Sequence, residues 1–245
     1  MKFAWLYGLC LSFGYAADVC NPATFPGPYG FLLSGSTTIS GESKPVVSVA
    51  RLVFESFGKV SGTSSVNFGG LLLGNPVTGE YTVQNDCSLT WKLQDDSGNF
   101  QNFAGKLSPD GKRVVFNQAD AGSPQRGAMV RTSESCVSSD FRGHYRIAIS
   151  GSTVSMDTGR TSGKVNINGA LDADGNTGLR FTPDHDSAPI EAATYKMEGG
   201  CFVQLQFTRP EGNMNFRAVM VNDGKELFGI QSDAGATVTL RITSQ

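Results

Sequence analysis

The sequence predicts an all-β protein made of two tandem antiparallel β-barrels packed side by side. Three observations lead to this fold class: an internal duplication, a succession of short β-type segments between turns, and almost no helical periodicity. The clearest sign of duplication is the tetrapeptide Ser-Gly-Ser-Thr at 34–37, which recurs at 150–153, a shift of 116 positions. A repeat longer than about 100 residues exceeds solenoid and propeller units and has the size of a whole domain.

The match between the two halves continues along the chain, with the shift falling from 116 to 113 as changes in loop length would produce. We therefore divide the chain into a leader at 1–17, a first barrel repeat at 18–133 and a second at 134–245. The matching pairs include Phe25 with Phe141, Tyr29 with Tyr145, Tyr81 with Tyr195, Phe103 with Phe216 and Asp110 with Asp223.

The first 17 residues have the pattern of a secretory signal peptide. Lys2 precedes an apolar run from Phe3 to Phe13, and small residues follow before the expected cleavage point. Such a segment is too short to span a bilayer. We expect the mature protein to be secreted or to reside in the lumen of an endomembrane compartment, with no transmembrane segment.

Four cysteines remain after the leader: Cys20, Cys87, Cys136 and Cys201. An even number in a secretory protein predicts disulfides. Of the three connectivities, the repeat favours one bond inside each unit, Cys20–Cys87 and Cys136–Cys201.

About eight short strands are expected in each repeat, because segments rich in Val, Phe, Tyr and Thr alternate with turn signals. One strand is predicted over Ser64–Leu72 and the next over Tyr81–Val83. Asp-Gly pairs at 110–111 and 223–224 predict tight hairpin turns. These strands could form a sandwich or a closed barrel. We favour the barrel, because closure removes exposed sheet edges and eight strands can enclose one small ligand.

Several classes of function are disfavoured. The formal net charge is −2, and positive and negative residues are evenly mixed with no basic cluster. Nucleic acid is therefore a poor candidate partner. No Gly-x-Ser-x-Gly elbow, P-loop or dinucleotide fingerprint occurs. Asp184-His185-Asp186 is interpreted as a solvated loop and 172–176 as a hairpin turn, not as metal sites. We expect no cofactor and no metal.

Residues that differ in type between the repeats mark where one copy has specialised. Arg51 lies in an apolar strand, where its guanidinium would either enter the barrel and meet a carboxylate or an anionic, carbonyl-bearing ligand, or face solvent as a surface residue. Trp91 is either a core residue or the wall of a pocket. Met129 and Arg131 share one face of the last strand of repeat one. The strands of repeat two carry Arg180, Lys196 and Arg217, which leaves open that the second barrel is the active one.

Three motifs resemble the allene-oxide-cyclase-barrel-like family. They are Gly27-x-Tyr29-x-Phe31, Gly-Lys-Val-Ser-Gly at 58–62, and Gly-Glu-Tyr-Thr-Val at 79–83 followed by Asp86-Cys87. Repeat two keeps Gly143-x-Tyr145 and the pair Tyr195 and Cys201 but departs at Gly175-Asn176. The resemblance implies calycin-type barrels, and many members are cofactor-free cyclases.

A tandem, disulfide-bearing version with a leader is similar to the fungal hetero-Diels–Alderases of tropolone–sesquiterpenoid biosynthesis. The resemblance implies that a reactive tropolone quinone methide is joined to a macrocyclic sesquiterpene such as a humulene, so the partners would be hydrophobic small molecules. A cycloaddition needs only positioning and hydrogen-bond donors at the developing charge. The first candidates are Arg51, Tyr29 and Tyr81 as donors, with Trp91, Phe103, Met129 and Arg131 lining the substrate site.

Two other functions stay open: a secreted carrier that binds a hydrophobic small molecule without changing it, and a structural β-protein with filled barrels. A cavity of about 300 Å³ or more in either barrel would argue against the structural alternative. Whether two chains pair as a homodimer is neither indicated nor excluded by the sequence.

Overall fold

The structure is a computed structural model that describes residues 21–39, 41–184 and 190–245. Within these residues the chain forms two closed, eight-stranded antiparallel barrels, which confirms the predicted fold class. The predicted leader, Cys20, His185 and Asp186 lie outside the described residues. In the described part, no helix is long and apolar enough to cross a membrane.

Each barrel is an up-and-down succession of strands in which neighbours in sequence are neighbours in the sheet. Barrel one consists of β1 (Gly27–Ile39), β2 (Glu42–Phe54), β3 (Lys59–Phe68), β4 (Leu71–Val83), β5 (Ser88–Asp95), β6 (Phe100–Leu107), β7 (Arg113–Gln118) and β8 (Arg126–Arg131). Barrel two consists of β9 (Arg142–Val154), β10 (Thr161–Asp174), β11 (Gly178–Pro183), β12 (Ala192–Met197), β13 (Phe202–Arg209), β14 (Gly212–Val221), β15 (Glu226–Gln231) and β16 (Ala236–Ser244).

The single strand predicted over Ser64–Leu72 is wrong, because a tight turn divides it. Gly69 and Gly70 have φ angles of +54° and +91°, a left-handed conformation that glycine adopts without a steric penalty. The turn reverses the chain, so β3 and β4 pair as a hairpin from Phe68–Leu71 to Lys59–Glu80. Apolar residues lie on both sides of the glycines, which is why the segment resembles one strand.

A duplicated polar network supports the common origin of the barrels. In barrel one the Asp120 carboxylate accepts from the backbone N–H of Asn102 at 2.9 Å and from its side chain at 2.7 Å, while Gln118 donates to it at 2.9 Å. The same three bonds recur in barrel two at 2.8, 2.7 and 2.9 Å. There the residues are Asn215, Gln231 and Asp233.

Alternate residues of each strand point into the barrel, and most of these are buried and apolar. In barrel one, aromatic rings fill much of the interior. They are Phe25, Tyr29, Phe31, Phe54, Trp91, Phe103 and Phe116, none more than 3% exposed.

Besides the apolar interior of each barrel, an apolar layer between their outer faces joins the two barrels. Leu32, Val47 and Val49 of β1 and β2 belong to one buried cluster with side chains of barrel two. On barrel two this layer includes Val219, Val221, Phe228 and Ile230. An ion pair between Arg113 and Glu226 also crosses the junction.

One of the two predicted disulfides is present among the described residues. Cys136 and Cys201 are joined with an S–S distance of 2.03 Å. Cys87 is also disulfide-bonded, and its predicted partner Cys20 lies outside the described residues. Cys87 and Cys201 share an unusual positive φ of 67° and 62°, so the duplication preserves backbone conformation at these positions.

Candidate functional site

A cavity of about 100 Å³ lies at one end of barrel one. We call this open end of the barrel the mouth and the opposite end the closed end. Ser48 alternates with the buried Ala50 and Leu52 along β2, which places its side chain on the inner face. The apolar part of the lining includes Phe31, Ala50, Val66, Val77 and Leu93. The polar part consists of Ser48, Ser64, Asn75, Asp95, Asn99 and Gln101.

The polar lining favours a neutral ligand. Asp95 carries a negative charge, but its Oδ1 already accepts from the backbone N–H groups of Ser97 and Asn99, both at 3.0 Å, and so holds the β5–β6 turn. The Ser64 hydroxyl donates weakly to the backbone oxygen of Asn75 at 3.4 Å. Hydroxyl and amide groups suit a ligand hydroxyl or carbonyl, whereas the carboxylate disfavours an anion.

Barrel two has no equivalent of Ser48. Leu33 pairs with Ser48 in barrel one, and its counterpart Ile149 pairs with Ile167 in barrel two. A small hydroxyl side chain in one copy therefore corresponds to a large apolar side chain in the other.

Two further replacements fill the same end of barrel two. Gly62 lies opposite Leu52, and the corresponding pair in barrel two is Phe181 with Leu171. The Phe181 ring stands over Gly169, where an added Cβ would lie 2.6 Å from the ring. Gln101 pairs with Leu93, whereas barrel two has Met214 opposite Phe207. The mouth is thus specific to barrel one among the described residues.

Three of the predicted site residues meet inside barrel one. Trp91 stacks on Phe103 with ring centroids 5.1 Å apart, and its edge meets Phe116 at 5.0 Å. Met129 is fully buried in the same cluster. The buried indole N–H of Trp91 has no hydrogen-bond partner among the described residues, although buried indoles usually have one.

Tyr29 and Arg131 lie together near the first described residues, in the closed end of barrel one. The Tyr29 hydroxyl is directed at the backbone oxygens of Phe25 and Gly111, at 2.9 and 2.6 Å, and accepts from Arg131 at 2.9 Å. Burial raises the pKa of Tyr29 to about 12, partly opposed by the charge of Arg131. Arg131 also donates to the backbone oxygens of residues 24–26. These groups fasten the entry segment over the barrel.

Tyr81 belongs to the same closed end. Its ring meets Phe25 and Phe54 edge-on at 5.3 and 5.1 Å, and its hydroxyl donates to the backbone oxygen of Glu55 at 2.6 Å. Burial raises its pKa. Neither Tyr29 nor Tyr81 lines the mouth cavity.

Arg51 points out of the barrel, as in the second alternative, but it is not a solvent-exposed residue, because its side chain is only 15% exposed. Its guanidinium donates to the backbone oxygens of Ser133 and Glu134 at 3.3 and 3.2 Å. Its ion pair with the exposed Glu134 carboxylate measures 3.6 Å. The strand register makes Ala170 its counterpart, because Gly30 pairs with Arg51 as Arg146 pairs with Ala170. Arg51 therefore holds the segment that links the barrels.

The candidates of repeat two are also outside the mouth. Arg217 donates to Ser65 of barrel one at 3.1 Å and lies over the Phe202 ring at 4.5 Å, so it belongs to the junction. Lys196 and Arg180 are exposed.

Other recesses lie on outer surfaces. Grooves of about 300 and 260 Å³ occupy corresponding positions over β4–β6 and β12–β14, near Tyr81 and Tyr195 respectively. Because both copies have this groove, it follows from the shape of the barrel. A cleft of about 230 Å³ between the barrels is lined by parts of both Ser-Gly-Ser-Thr copies, at 34–35 and 150–152.

No group of three or more His, Cys, Asp or Glu side chains is placed to hold a metal ion within the described ranges. The Asp184 carboxylate of the predicted solvated loop pairs with Arg146 at 2.7 Å.

The comparisons with known proteins add little. No family model matches the chain, and no curated protein matches its sequence. A solved structure of a protein provisionally named AttH, from Nitrosomonas europaea, is similar over 94% of this chain and 96% of that chain, with 9% identity and a TM-score of 0.28. At that TM-score the likeness carries no argument about function.

Sequence reasoning missed the polar residues of the mouth. A signal for them was present, because Ser48 shares its strand face with Ala50 and Leu52, and Gln101 shares its face with Phe103. Polar residues on the inner face of a barrel are costly without partners, and these two are replaced by apolar residues in the second copy.

Proposed function

We propose that barrel one binds a small neutral organic molecule, one end of which enters the mouth. The observation that carries this proposal is the polar-lined cavity in barrel one, set against bulkier apolar side chains at the matching positions of barrel two. Polar side chains on an inner face are costly without partners, so a purely structural barrel would be expected to have apolar residues there, as barrel two has at Ile167, Phe181 and Met214.

The size of the cavity limits what enters it. Its volume of about 100 Å³ is smaller than the 300 Å³ or more expected of a complete ligand pocket. An apolar cavity of about 150 Å³ is enough for benzene. The cavity is smaller than that, so it admits only the hydroxyl- or carbonyl-bearing end of a ligand, and the rest of the molecule lies outside.

A second candidate function is the cofactor-independent cycloaddition implied by the family resemblance. It is favoured by the indole N–H of Trp91, a donor in the apolar interior that has no hydrogen-bond partner in the described part of the chain. Hydroxyl and amide donors such as Ser48, Asn75 and Gln101 would stabilise the charge that develops on a quinone-methide oxygen. Trp91, Phe103 and Met129 supply the apolar support beneath it. The sesquiterpene would then react at the opening, not inside the barrel.

The binding proposal is tested by giving barrel one the side chain of barrel two. Ser48→Ile should fill the cavity and lower the affinity for 2-naphthol, a neutral fluorescent hydroxyarene, by at least tenfold. Ser43→Ile is the matched control, because Ser43 lies on the same strand but is exposed, and it should leave the affinity unchanged. Equal affinities of wild type and Ser48→Ile would contradict the proposal.

Catalysis is tested separately by turnover. The mature protein should accelerate the cycloaddition of a tropolone quinone methide with humulene and yield one stereoisomer. A rate and product ratio equal to those in buffer would remove the catalytic candidate and leave the binding proposal standing.

We also propose that the protein functions in the secretory pathway or outside the cell. The Cys136–Cys201 disulfide supports this, since such bonds persist in oxidising compartments. The leader pattern at 1–17 provides the route. Fusion of residues 1–17 to a reporter should direct it into the secretory pathway, and a reporter that stays in the cytosol would contradict the assignment.

A further inference from the structure

The β3–β4 hairpin extends beyond the end of β5 at the mouth. β4 pairs with β5 only from Val77 to Val83, so Leu71–Pro76 pair with β3 alone among the described residues. Pro76 fits this position because it has no backbone N–H and is tolerated at a sheet edge. We call residues 65–76 the arm.

The inner face of the arm is apolar and open to solvent. Leu71 and Leu73 are 53% and 46% exposed, and strand alternation places them on the same face as the cavity residue Asn75. Leu73 lies opposite Val66, which itself lines the cavity. An exposed apolar surface therefore continues directly from the polar cavity.

The outer face of the arm is fixed to barrel two. Asn67 is fully buried and donates to the backbone oxygen of Gln231 at 3.4 Å, and the backbone N–H of Gly235 donates to Gly70 at 2.9 Å. Leu72 packs against the core cluster of barrel two. The arm is thus held in place by the second barrel, and does not depend on a ligand for its position.

We infer that the arm is a binding surface for the hydrocarbon body of the ligand whose polar end occupies the mouth. This inference rests on the proposed function. The ligand class is a neutral amphiphile with one hydroxyl or carbonyl end and an apolar body. Barrel two serves as the support that holds the arm over the mouth of barrel one.

The mouth cavity and the inner face of the arm form one continuous surface, which favours a neutral amphiphile as the ligand. The cavity takes only the polar end, and the side chains next to it on the arm are leucines. The charge of Asp95 at the mouth disfavours a fatty-acid carboxylate, so the neutral class is preferred.

A series of 4-alkylphenols separates the two surfaces. Phenol probes the mouth alone, and 4-butylphenol and 4-octylphenol add a chain that reaches the arm. Full burial of a methylene strengthens binding roughly fourfold, so a half-buried chain should give about twofold per methylene. Affinities are measured by NMR titration of the whole protein.

Polar substitution on the arm should remove the dependence on chain length. Leu71→Ser combined with Leu73→Ser should leave the phenol affinity unchanged and reduce the gain per methylene to less than 1.3-fold, an effect on the order of a third of a half-buried methylene. Phe57→Ser is the control, because Phe57 is 94% exposed on another hairpin and should keep the full gain.

A second variant tests the support from barrel two. In Gly70→Ala the new Cβ would lie 3.0 Å from Gly235 Cα and 3.1 Å from Met156 Sδ, which should push the arm away and weaken octylphenol binding at least threefold. Gly69→Ala is the control, because Gly69 also has a positive φ but its new Cβ would have no neighbour within 4 Å. It therefore measures the effect of backbone strain without displacement of the arm.

The outcomes distinguish the two proposals. Two results would overturn the inference about the arm and leave the mouth proposal standing. One is phenol binding by the wild type with no gain in affinity as the alkyl chain lengthens, and the other is a full gain in the double-serine variant. Absence of binding by every phenol would overturn both.

Discussion

At the scale of single residues, Tyr29 is a side chain of the type used as a catalytic hydrogen-bond donor, but its hydroxyl makes structural hydrogen bonds instead. Its hydroxyl is fully buried and is bonded to two backbone oxygens and to Arg131. A donor with these partners has no proton to offer a ligand at the mouth. The closed end of barrel one therefore depends on Tyr29 for stability.

Tyr29→Phe should lower the free energy of unfolding by about 1–3 kcal/mol, because two backbone oxygens and one guanidinium lose a buried partner. Urea unfolding measures this cost. Tyr81→Phe removes a single bond near the surface and should cost less than about 1 kcal/mol. A Tyr29→Phe variant as stable as wild type, with lower affinity for 2-naphthol, would return Tyr29 to the ligand site.

Tyr29 also predicts a loss of stability at alkaline pH. Its folded pKa of about 12 lies above the value of about 10 in an unfolded chain. The folded state therefore holds this proton more tightly, and the contribution is complete below pH 10 and lost as the pH rises through 12. Burial raises the pKa of Tyr195 to about 12 as well. Unfolding free energies between pH 9 and 12 should fall less steeply in Tyr29→Phe than in wild type, and parallel curves would contradict this.

The sequence identifies a site residue well when its own strand determines its surroundings, and poorly when residues distant in the chain determine them. The family resemblance predicts that Trp91, Phe103 and Met129 form the apolar wall of one substrate site, and they lie together in barrel one. The orientation of Arg51 required knowledge of the second barrel, because the outer face of β2 is an interface rather than a solvent surface. The alternation along β2 marks Ser48 as an inner-face residue, and the strand register is needed to identify Ile167 as its counterpart.

At the scale of elements, the turns were predictable where one residue type forces the conformation. Gly111 and Gly224, with φ of 71° and 80°, lie in the two predicted hairpin turns. The Gly69-Gly70 turn is missed from sequence because apolar residues lie directly on either side of it. The length of β4 was also missed, since Leu71–Pro76 form an edge that has few of the usual strand residues.

The duplicated carboxylate network gives a test at this scale. Asp120→Ala and Asp233→Ala each remove an acceptor for one backbone N–H and two side chains, and each should cost about 1–3 kcal/mol of unfolding free energy. Burial opposes ionisation of Asp120, but bonds from Gln118 and Asn102 outweigh it and lower its pKa. Its contribution is therefore present above the unfolded pKa and lost as the pH falls through the lower folded value. A cost below about 0.5 kcal/mol for either variant would show that the network is not structural.

At the scale of the whole molecule, the two copies have diverged by position in the assembly. Gly30 faces barrel two, and an added Cβ would lie 2.3 Å from Val221. Its counterpart Arg146 faces away from the junction and pairs with Asp184. Duplication thus supplied two equal barrels, and contact between them made one outer face apolar and left the other charged.

Gly30→Val should separate the barrels without disturbing either interior. We expect a loss of about 1–3 kcal/mol from overpacking at the junction, with one calorimetric transition in wild type and two in the variant. Arg146→Val changes the matching position of barrel two and should retain a single transition. Two transitions in the wild type would show that the junction does not couple the barrels.

The most direct test of the account is to locate a bound ligand on the assigned NMR spectrum of the whole protein. Titration with 2-naphthol should shift the backbone signals of Ser48, Ser64, Asn75 and Gln101. The signals of their counterparts Ile167 and Met214 should stay unchanged. Shifts confined to barrel two, or to the outer groove around Thr90 and Asn102, would contradict the assignment of the site to the mouth of barrel one.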